Sequence, residues 1–347
     1  MTKVNKHLNG AVIGLGKMGL LHTAIANSSD NASIIAVCEN VGLTSKAFSS
    51  FNSNIKMYSD YNVMLQNEKL DFVFIATPSD LHIDIAMECA KNKIPFFVEK
   101  PLCTDYKQGI ILLNQLKKDP VINMVGFMKR HLNTYKIVKD LIQNDTLGKI
   151  FSCNTDVYVS QLFKKGKGWR YKKDNSGGGA FITIAIHALD LIFWYFGTPS
   201  RISANTISYY SKEVEDFGSS TMVFDSQMIC TLNTSWSVHN HRLLDTKIVI
   251  NGEYGRVVVN EDTVKIFLKE NRPGYKAGWT TFNNPDTYEG GQLDIGGYHY
   301  SKQDESFLTA IINGEIIESD VENAMKVHQI LENIYLSSER QGELVHL

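Results

Sequence analysis

The stretch Gly10-Ala11-Val12-Ile13-Gly14-Leu15-Gly16-Lys17-Met18-Gly19 decides how the rest of the chain is read. Gly10–Ile13 is a short apolar strand, the G-x-G-x-x-G spacing makes a turn, and Lys17 to about Asn27 continues as a helix. The first glycine permits the tight turn, the second lets a phosphate approach the backbone, and the third lets helix and strand pack closely. The helix N-terminus then offers free N–H groups and a positive dipole end to that phosphate. The spacing alone is weak. Here it has a strand before it, a helix after it, and an acid, Glu39, 20 residues past Gly19 at the end of the next strand. A carboxylate there can hold adenosine ribose hydroxyls and repel a 2′-phosphate. The stretch therefore predicts a dinucleotide site built from Gly14, Gly16, Lys17, Met18, Gly19 and Glu39, for NAD in preference to NADP.

Outward from this turn, apolar strands alternate with amphipathic helical segments. Strands are expected at Ile34–Cys38, Phe72–Ala76, Pro95–Val98 and Val121–Val125. Helices are expected at Thr44–Phe51, His82–Asn92 and Lys107–Lys117. Such alternation argues for a doubly wound parallel sheet with helices on both faces. After Gly126 the pattern changes. Beyond a helix at Tyr135–Gln143 the strands lengthen and alternate with period two: Phe151, Cys153, Thr155, Val157 and Val159 face one way, and Cys230, Leu232, Thr234 and Trp236 share a face likewise. Further strands are expected around 202–209, 219–224, 246–250, 255–259 and 264–268, with a hairpin turn from Gly252 to Gly255 and helices near 303–312 and 321–338. This predicts a large, mostly antiparallel open sheet with one covered face. The expected fold is α/β: a Rossmann domain over residues 1–126, then an α+β domain over 127–347 for substrate binding and oligomerisation.

Composition sets limits on function. A length of 347 residues exceeds what a single core usually fills, and 43% hydrophobic with 21% charged residues excludes general disorder. Thirty-five basic against 37 acidic residues leave no electrostatic case for nucleic acid or a membrane surface as partner. One local exception is the basic run Lys164, Lys165, Lys167, Arg170, Lys172 and Lys173. The five cysteines are scattered and odd in number, which predicts free thiols and a cytoplasmic location. The longest apolar stretch, Ala180–Phe196, is short for a membrane span and is interrupted by His187 and Asp190. No spacing of His, Cys, Asp or Glu makes a convincing metal site; His239 and His241 share a strand face, which is thin support.

Three further segments carry chemistry. Ala76-Thr77-Pro78-Ser79-Asp80-Leu81-His82 and Glu99-Lys100-Pro101 follow strands, where open α/β sheets bind ligands. Thr77, Pro78, His82 and Glu99 are accordingly expected at the cofactor. Lys100 is either a solvated surface lysine or a donor to a substrate hydroxyl. The third segment is Gly177-Gly178-Gly179-Ala180-Phe181-Ile182-Thr183-Ile184-Ala185-Ile186-His187-Ala188-Leu189-Asp190. Its glycines imply close backbone approach to a ligand or to another element. Thr183 and His187, four apart, share a helical face. An isolated histidine on an apolar helix is more often a hydrogen-bonded core residue than a catalyst.

Taken in order, the Gly14–Gly19 loop, Glu99-Lys100-Pro101, Gly126-Phe127 with Arg130, and the glycine run leading to His187 and Asp190 closely resemble the Gfo/Idh/MocA oxidoreductases. That resemblance implies nicotinamide-dependent oxidation or reduction of a sugar, cyclitol or nucleotide-linked sugar, in a homodimer or homotetramer. It implies Lys100 as the active-site lysine and His187 as the general acid/base. Thr183 departs from the family, since many sugar and inositol dehydrogenases carry an aspartate there and threonine cannot act as a carboxylate base. Arg130, Trp169, Arg170, Thr183, Lys100 and His187 are the expected substrate contacts, with Tyr158, His299 and Tyr300 as further pocket candidates. Two alternatives follow from the same fold: a non-catalytic NAD-binding regulator, and an NAD-dependent glycoside hydrolase.

Overall fold

A computed structural model describes residues 7–40, 42, 54–288, 290, 293, 294 and 296–347. The helix expected at Thr44–Phe51 lies outside these residues. The chain divides into two compact units, residues 1–127 with 290–325, and residues 128–289 with 326–347.

The first unit is built on six strands: β1 (Leu8–Ile13), β2 (Ala32–Cys38), β3 (Lys56–Tyr58), β4 (Phe72–Ile75), β5 (Phe96–Val98) and β6 (Asn123–Val125). They pair in the order β3-β2-β1-β4-β5-β6, every pair parallel. This is the doubly wound order, and it reverses direction between β1 and β4. Burial on both faces explains the near-continuous apolar strands: all four residues of β4 and all three of β5 are buried. The helices Lys17–Ser28, Tyr61–Asn67, His82–Lys91 and Tyr106–Lys118 connect them. Asp60 and Asp105 start two of these helices by accepting the N–H groups of Asn62 and Lys107 at 2.7 and 2.8 Å.

Residues 290–325, which period and order assign to the second domain, pack with the first unit instead. Helix Tyr298–Asn313 buries Phe307 among Phe72, Phe74 and Phe97, with ring centroids 5.7–6.2 Å apart. Full burial of such a ring contributes roughly 1.5–3 kcal/mol. The chain after it covers the edge of β6, where the Val125 N–H donates to the Ser319 carbonyl and the Asn123 side chain accepts from the Val321 N–H, both at 2.7 Å. Hydrophobic periodicity marks such a helix as amphipathic but carries no address for its partner.

The second unit is a nine-stranded sheet of β7 (Ile150–Tyr158), β8 (Arg201–Ile207), β9 (Phe217–Val223), β10 (Ile229–Ser235), β11 (Asp245–Gly252), β12 (Gly255–Val259), β13 (Thr263–Leu268), β14 (Gly278–Asn283) and β15 (Val345–His346). Its order is β14-β13-β12-β11-β7-β10-β9-β8-β15. Every pair is antiparallel except β7 with β10, whose long crossover permits a parallel return. Cys153, Thr155 and Val157 of β7 lie buried on the same face as Cys230, Leu232 and Thr234 of β10. The opposite face is a polar ladder, in which Thr231 bonds Asn154 and Asn233 bonds Asp156, both at 3.0 Å. Phe151, expected on the covered face, is 55% exposed. The register between β7 and β11 slips at Asn251/Gly252, opposite this residue, and a bulge there redirects it.

The helical run Lys173–Phe196 is long and apolar enough to cross a membrane by composition, but 78% of its most apolar window is buried inside the protein. It is the core helix beneath this sheet.

Candidate active site

In the first unit the parallel topology places every βα turn at one edge of the sheet. After β1 comes the glycine turn. Gly14 has φ +94°, and a Cβ there would lie 2.7 Å from the Ala76 carbonyl oxygen after β4. A Cβ on Gly19 would lie 1.8 Å from the Gly14 carbonyl oxygen, so this glycine lets the helix sit directly on the turn. Gly16 differs: among the described residues a Cβ there meets nothing within 4 Å, and no side chain caps the helix that starts at Lys17. Unsatisfied N–H groups thus open onto space where an anion fits. Lys17 is exposed and Met18 half-buried beside this opening. After β2, the Glu39 carboxylate accepts the Leu15 N–H at 2.8 Å, tying the acid to the glycine turn. After β4, Thr77 Oγ1 is buried with no hydrogen-bond partner among the described residues, and Pro78 is exposed. These features fit the pyrophosphate and ribose of a dinucleotide.

His82 has a different job from a direct cofactor contact. Its buried ring lies between the carbonyl oxygens of Pro101 and Thr77, at 2.8 and 3.0 Å. Burial holds its pKa below the ordinary histidine value despite those carbonyls, so the ring is neutral and its single N–H serves one of the two carbonyls at a time, on the turn after β4 or the turn after β5. Glu99 is likewise turned inward. Its carboxylate accepts the Lys100 N–H at 3.2 Å and pairs with His22 at 3.1 Å. Lys100 follows it on the turn after β5, half-buried, with a cis peptide to Pro101.

His22, which sequence spacing did not single out, is the centre of this support. Its ring lies between Asp304 at 2.8 Å and Glu99 at 3.1 Å, stacked on Phe74 at 4.8 Å. Burial opposes charging the ring. The charge and hydrogen bond of Asp304, with those of Glu99, outweigh it and raise the pKa to about 10. Burial also opposes ionising Glu99, but the hydrogen bond and charge of His22, with Lys100, hold that carboxyl below its ordinary range. Asp304 is 282 residues from His22, so no local pattern reveals the pair. Tyr300 belongs to the same surroundings: burial and the Glu99 charge raise its pKa to about 12. His299 packs against it at 4.5 Å.

In the second unit the glycine run leads through a π-helical turn, Phe181–Ala185, into helix Ile186–Phe196. The glycines admit another part of the protein rather than a ligand. A Cβ on Gly179 would lie 1.9 Å from the Glu215 carbonyl oxygen, and one on Gly178 would lie 2.1 Å from the Tyr335 hydroxyl. The Glu215 carboxylate accepts the N–H groups of Gly179 and Phe181 at 2.8 and 2.9 Å and the Tyr335 hydroxyl at 3.0 Å. A remote acid therefore caps the start of this helix. Burial raises its pKa against these hydrogen bonds.

Thr183 uses its hydroxyl on the Gly179 carbonyl at 2.5 Å. His187 sits buried on the first turn of the following helix. Arg130 is not directed at open space. Its Nε and Nη2 donate to both oxygens of Asp190 at 2.8 and 2.7 Å, and its guanidinium lies 5.5 Å from the Trp194 ring. This buried bidentate pair fixes the turn that follows His187. Trp169 and Arg170 are exposed on the preceding loop, the guanidinium over the indole at 5.4 Å. Tyr158 leans on His241 at 5.4 Å. Among the described residues no group of three or more His, Cys, Asp or Glu side chains is arranged to hold a metal ion.

Residues 8–127 match the family model for oxidoreductases of the Gfo/Idh/MocA type with an NAD-binding Rossmann fold, and residues 135–258 match the model for a C-terminal domain of the same family. The chain is 23% identical over 275 residues to Oxidoreductase P35 of Formosa agariphila, covering 77% of this chain and 84% of that one. It is 26% identical over 287 residues to the 2,7-anhydro-N-acetylneuraminate hydratase of Escherichia coli, covering 79% and 71%. Among solved structures, it is similar to a levoglucosan dehydrogenase in complex with NADH and levoglucosan, with a TM-score of 0.88 at 21% identity over 98% of this chain and 99% of that one. It is also similar to the WlbA dehydrogenase of Bordetella pertussis in complex with NADH and UDP-GlcNAcA, with a TM-score of 0.87 at 21% identity over 99% and 98%. With the sheet order, the glycine turn and both family models in agreement, the chain belongs to the Gfo/Idh/MocA family of oxidoreductases and carries its NAD-binding Rossmann domain.

Proposed function

We propose that the protein is an NAD(H)-dependent dehydrogenase that oxidises or reduces a hydroxyl-bearing carbon of a sugar, cyclitol or nucleotide-linked sugar. The observation that carries this reading is the placement of Lys100 on the same sheet edge as the glycine turn and Glu39, by parallel topology alone. The relatives crystallised with NADH and sugars support the substrate class.

Bound NAD supplies a hydride acceptor at the nicotinamide. The N–H groups at the start of helix Lys17–Ser28 hold its pyrophosphate, and Glu39 its adenosine ribose. Lys100 donates a hydrogen bond to the substrate oxygen and steadies the negative charge that develops there. His187 takes the hydroxyl proton as general base and returns it in the reverse direction. Glu99 and His22 set the turn bearing Lys100, and Arg130 with Asp190 sets the helix bearing His187; these are positioning residues. The buried, unbridged cysteines support a cytoplasmic location.

The test is turnover against a panel of sugars, cyclitols and nucleotide sugars with NAD, followed by NADH absorbance. Net NADH formation is the expected result. Cleavage or hydration without net reduction would replace this reading with transient oxidation, and tight NAD binding with no turnover would replace it with a regulator. Lys100→Ala is expected to lower kcat by about tenfold or more, the equivalent of a lost charged hydrogen bond, with NADH affinity unchanged. Glu39→Ala is expected to weaken NADH binding about tenfold and narrow its advantage over NADPH, measured by fluorescence titration. A wild-type preference for NADPH would contradict the role given to Glu39.

A further inference from the structure

The segment Phe163–Lys173 carries six cations, Lys164, Lys165, Lys167, Arg170, Lys172 and Lys173, and no acid, in a chain whose net charge is −2. Buried cations elsewhere in this unit are matched, Lys129 by Glu261 and Arg130 by Asp190. Of these six, among the described residues, Lys173 alone has an acidic partner, Glu339 at 4.0 Å. Mutual repulsion of so many exposed charges disfavours their clustering unless something offsets it.

A solvated loop could have the same composition, but this one is anchored and shaped. The N–H groups of Gln161 and Leu162 donate to the Trp236 carbonyl at 2.9 and 3.0 Å. The Tyr171 ring packs edge-on against the buried Trp236 at 5.4 Å. The Trp236 indole N–H donates to Asp216 at 2.8 Å, and the same carboxylate accepts the N–H groups of Tyr209 and Ser211 at 2.7 and 2.8 Å. Gly168 turns the chain at φ +104°, a conformation that favours glycine. Phe163 stacks on His239 at 4.2 Å with the rings 12° from parallel, and both are exposed. Together these contacts shape a groove of about 760 Å³ lined by residues 161–167 and Tyr171. Small-molecule sites run to roughly 300–1,000 Å³.

We propose that this groove binds the diphosphate of a nucleoside-diphosphate-linked sugar, with Lys164, Lys165 and Lys167 on the phosphates and the Phe163–His239 stack against the base. One carboxylate would leave most of these cations unmatched, whereas a diphosphate engages several, and an exposed aromatic pair gives a base a flat surface. The segment runs on through the glycine run to His187, 14 residues after Lys173. The inference rests on the dehydrogenase reading and narrows its substrate to the nucleotide-linked class.

The experiment is calorimetric titration of the full chain, saturated with NADH so that the Rossmann site is filled, with uridine diphosphate. A pyrimidine nucleotide avoids confusion with the adenosine half of the cofactor. Uridine diphosphate is expected to bind, more weakly as salt is raised. The K164E/K165E/K167E variant is expected to lose at least about tenfold in affinity, with NADH binding intact as the check on folding. Phe163→Ala is expected to weaken uridine diphosphate more than inorganic pyrophosphate. No binding of uridine diphosphate, equal binding by the triple variant, or equally tight binding of glucuronate would overturn the proposal. The titration needs no turnover, so its failure leaves the dehydrogenase reading intact, and an inactive enzyme leaves the titration interpretable.

Discussion

Replacing His187 with asparagine is expected to reduce kcat by about 10²–10⁴-fold while NADH binding is unchanged. Asparagine keeps a polar group of similar reach but cannot accept and release a proton near neutral pH. The acidic limb of the kcat–pH profile should disappear with it, because that limb reports the base. The surroundings make this a sharp test. The helix start is capped by Glu215 through Gly179 and Phe181, and the next turn is fixed by Arg130 on Asp190. The substitution therefore removes the imidazole from a scaffold whose anchors lie elsewhere. A variant retaining most of its kcat, with an unaltered pH profile, would return His187 to the core histidines.

The second large effect concerns stability. His22→Leu is expected to destabilise the first unit by about 3–5 kcal/mol, because it leaves the Asp304 and Glu99 carboxylates buried without their shared cation. Leucine is close to histidine in volume, so the packing on Phe74 is largely kept and the loss is electrostatic. In the native protein the His22 pKa is raised from 6.5 to about 10. Its contribution is complete below 6.5 and is lost as the pH rises through about 10. In the variant the dependence keeps that sign but moves to lower pH, where the carboxylates titrate. Stranded carboxylates are pushed up by burial, take protons on acidification, and stability returns as the pH falls. Urea unfolding across that range checks this: a small, pH-independent deficit would contradict the buried imidazolium. Since Glu99 also accepts the Lys100 N–H, kcat should fall with stability.

The Rossmann half was legible because its signals are local. A glycine turn, a strand-end acid and apolar strands of fixed length are written within a few residues of one another, and the observed β1, β4 and β5 lie within two residues of their expected bounds. The long strands around the polar ladder were legible for the same reason, a period of two that survives from β7 to β13. What stayed hidden was long-range pairing. Helix Tyr298–Asn313 announces an apolar face but not that Phe307 completes an aromatic cluster 210–235 residues away in sequence, nor that Asp304 meets His22. Arg130 read as a substrate contact because an isolated arginine gives no sign of Asp190. The glycine run gave the need for close approach but not its object, which is the Glu215 backbone. At Thr183 the sequence departs from a carboxylate, and the hydroxyl's bond to the Gly179 carbonyl assigns it to the helix start.

Isotope tracing follows the hydride itself. With the first substrate the panel identifies, deuterium is placed on the carbon bearing the reacting hydroxyl, and the nicotinamide is analysed after a single turnover with NAD. Deuterium is expected on the nicotinamide ring, and none there in the His187→Asn variant over the same interval. Product formed with no deuterium reaching the nicotinamide would contradict hydride transfer.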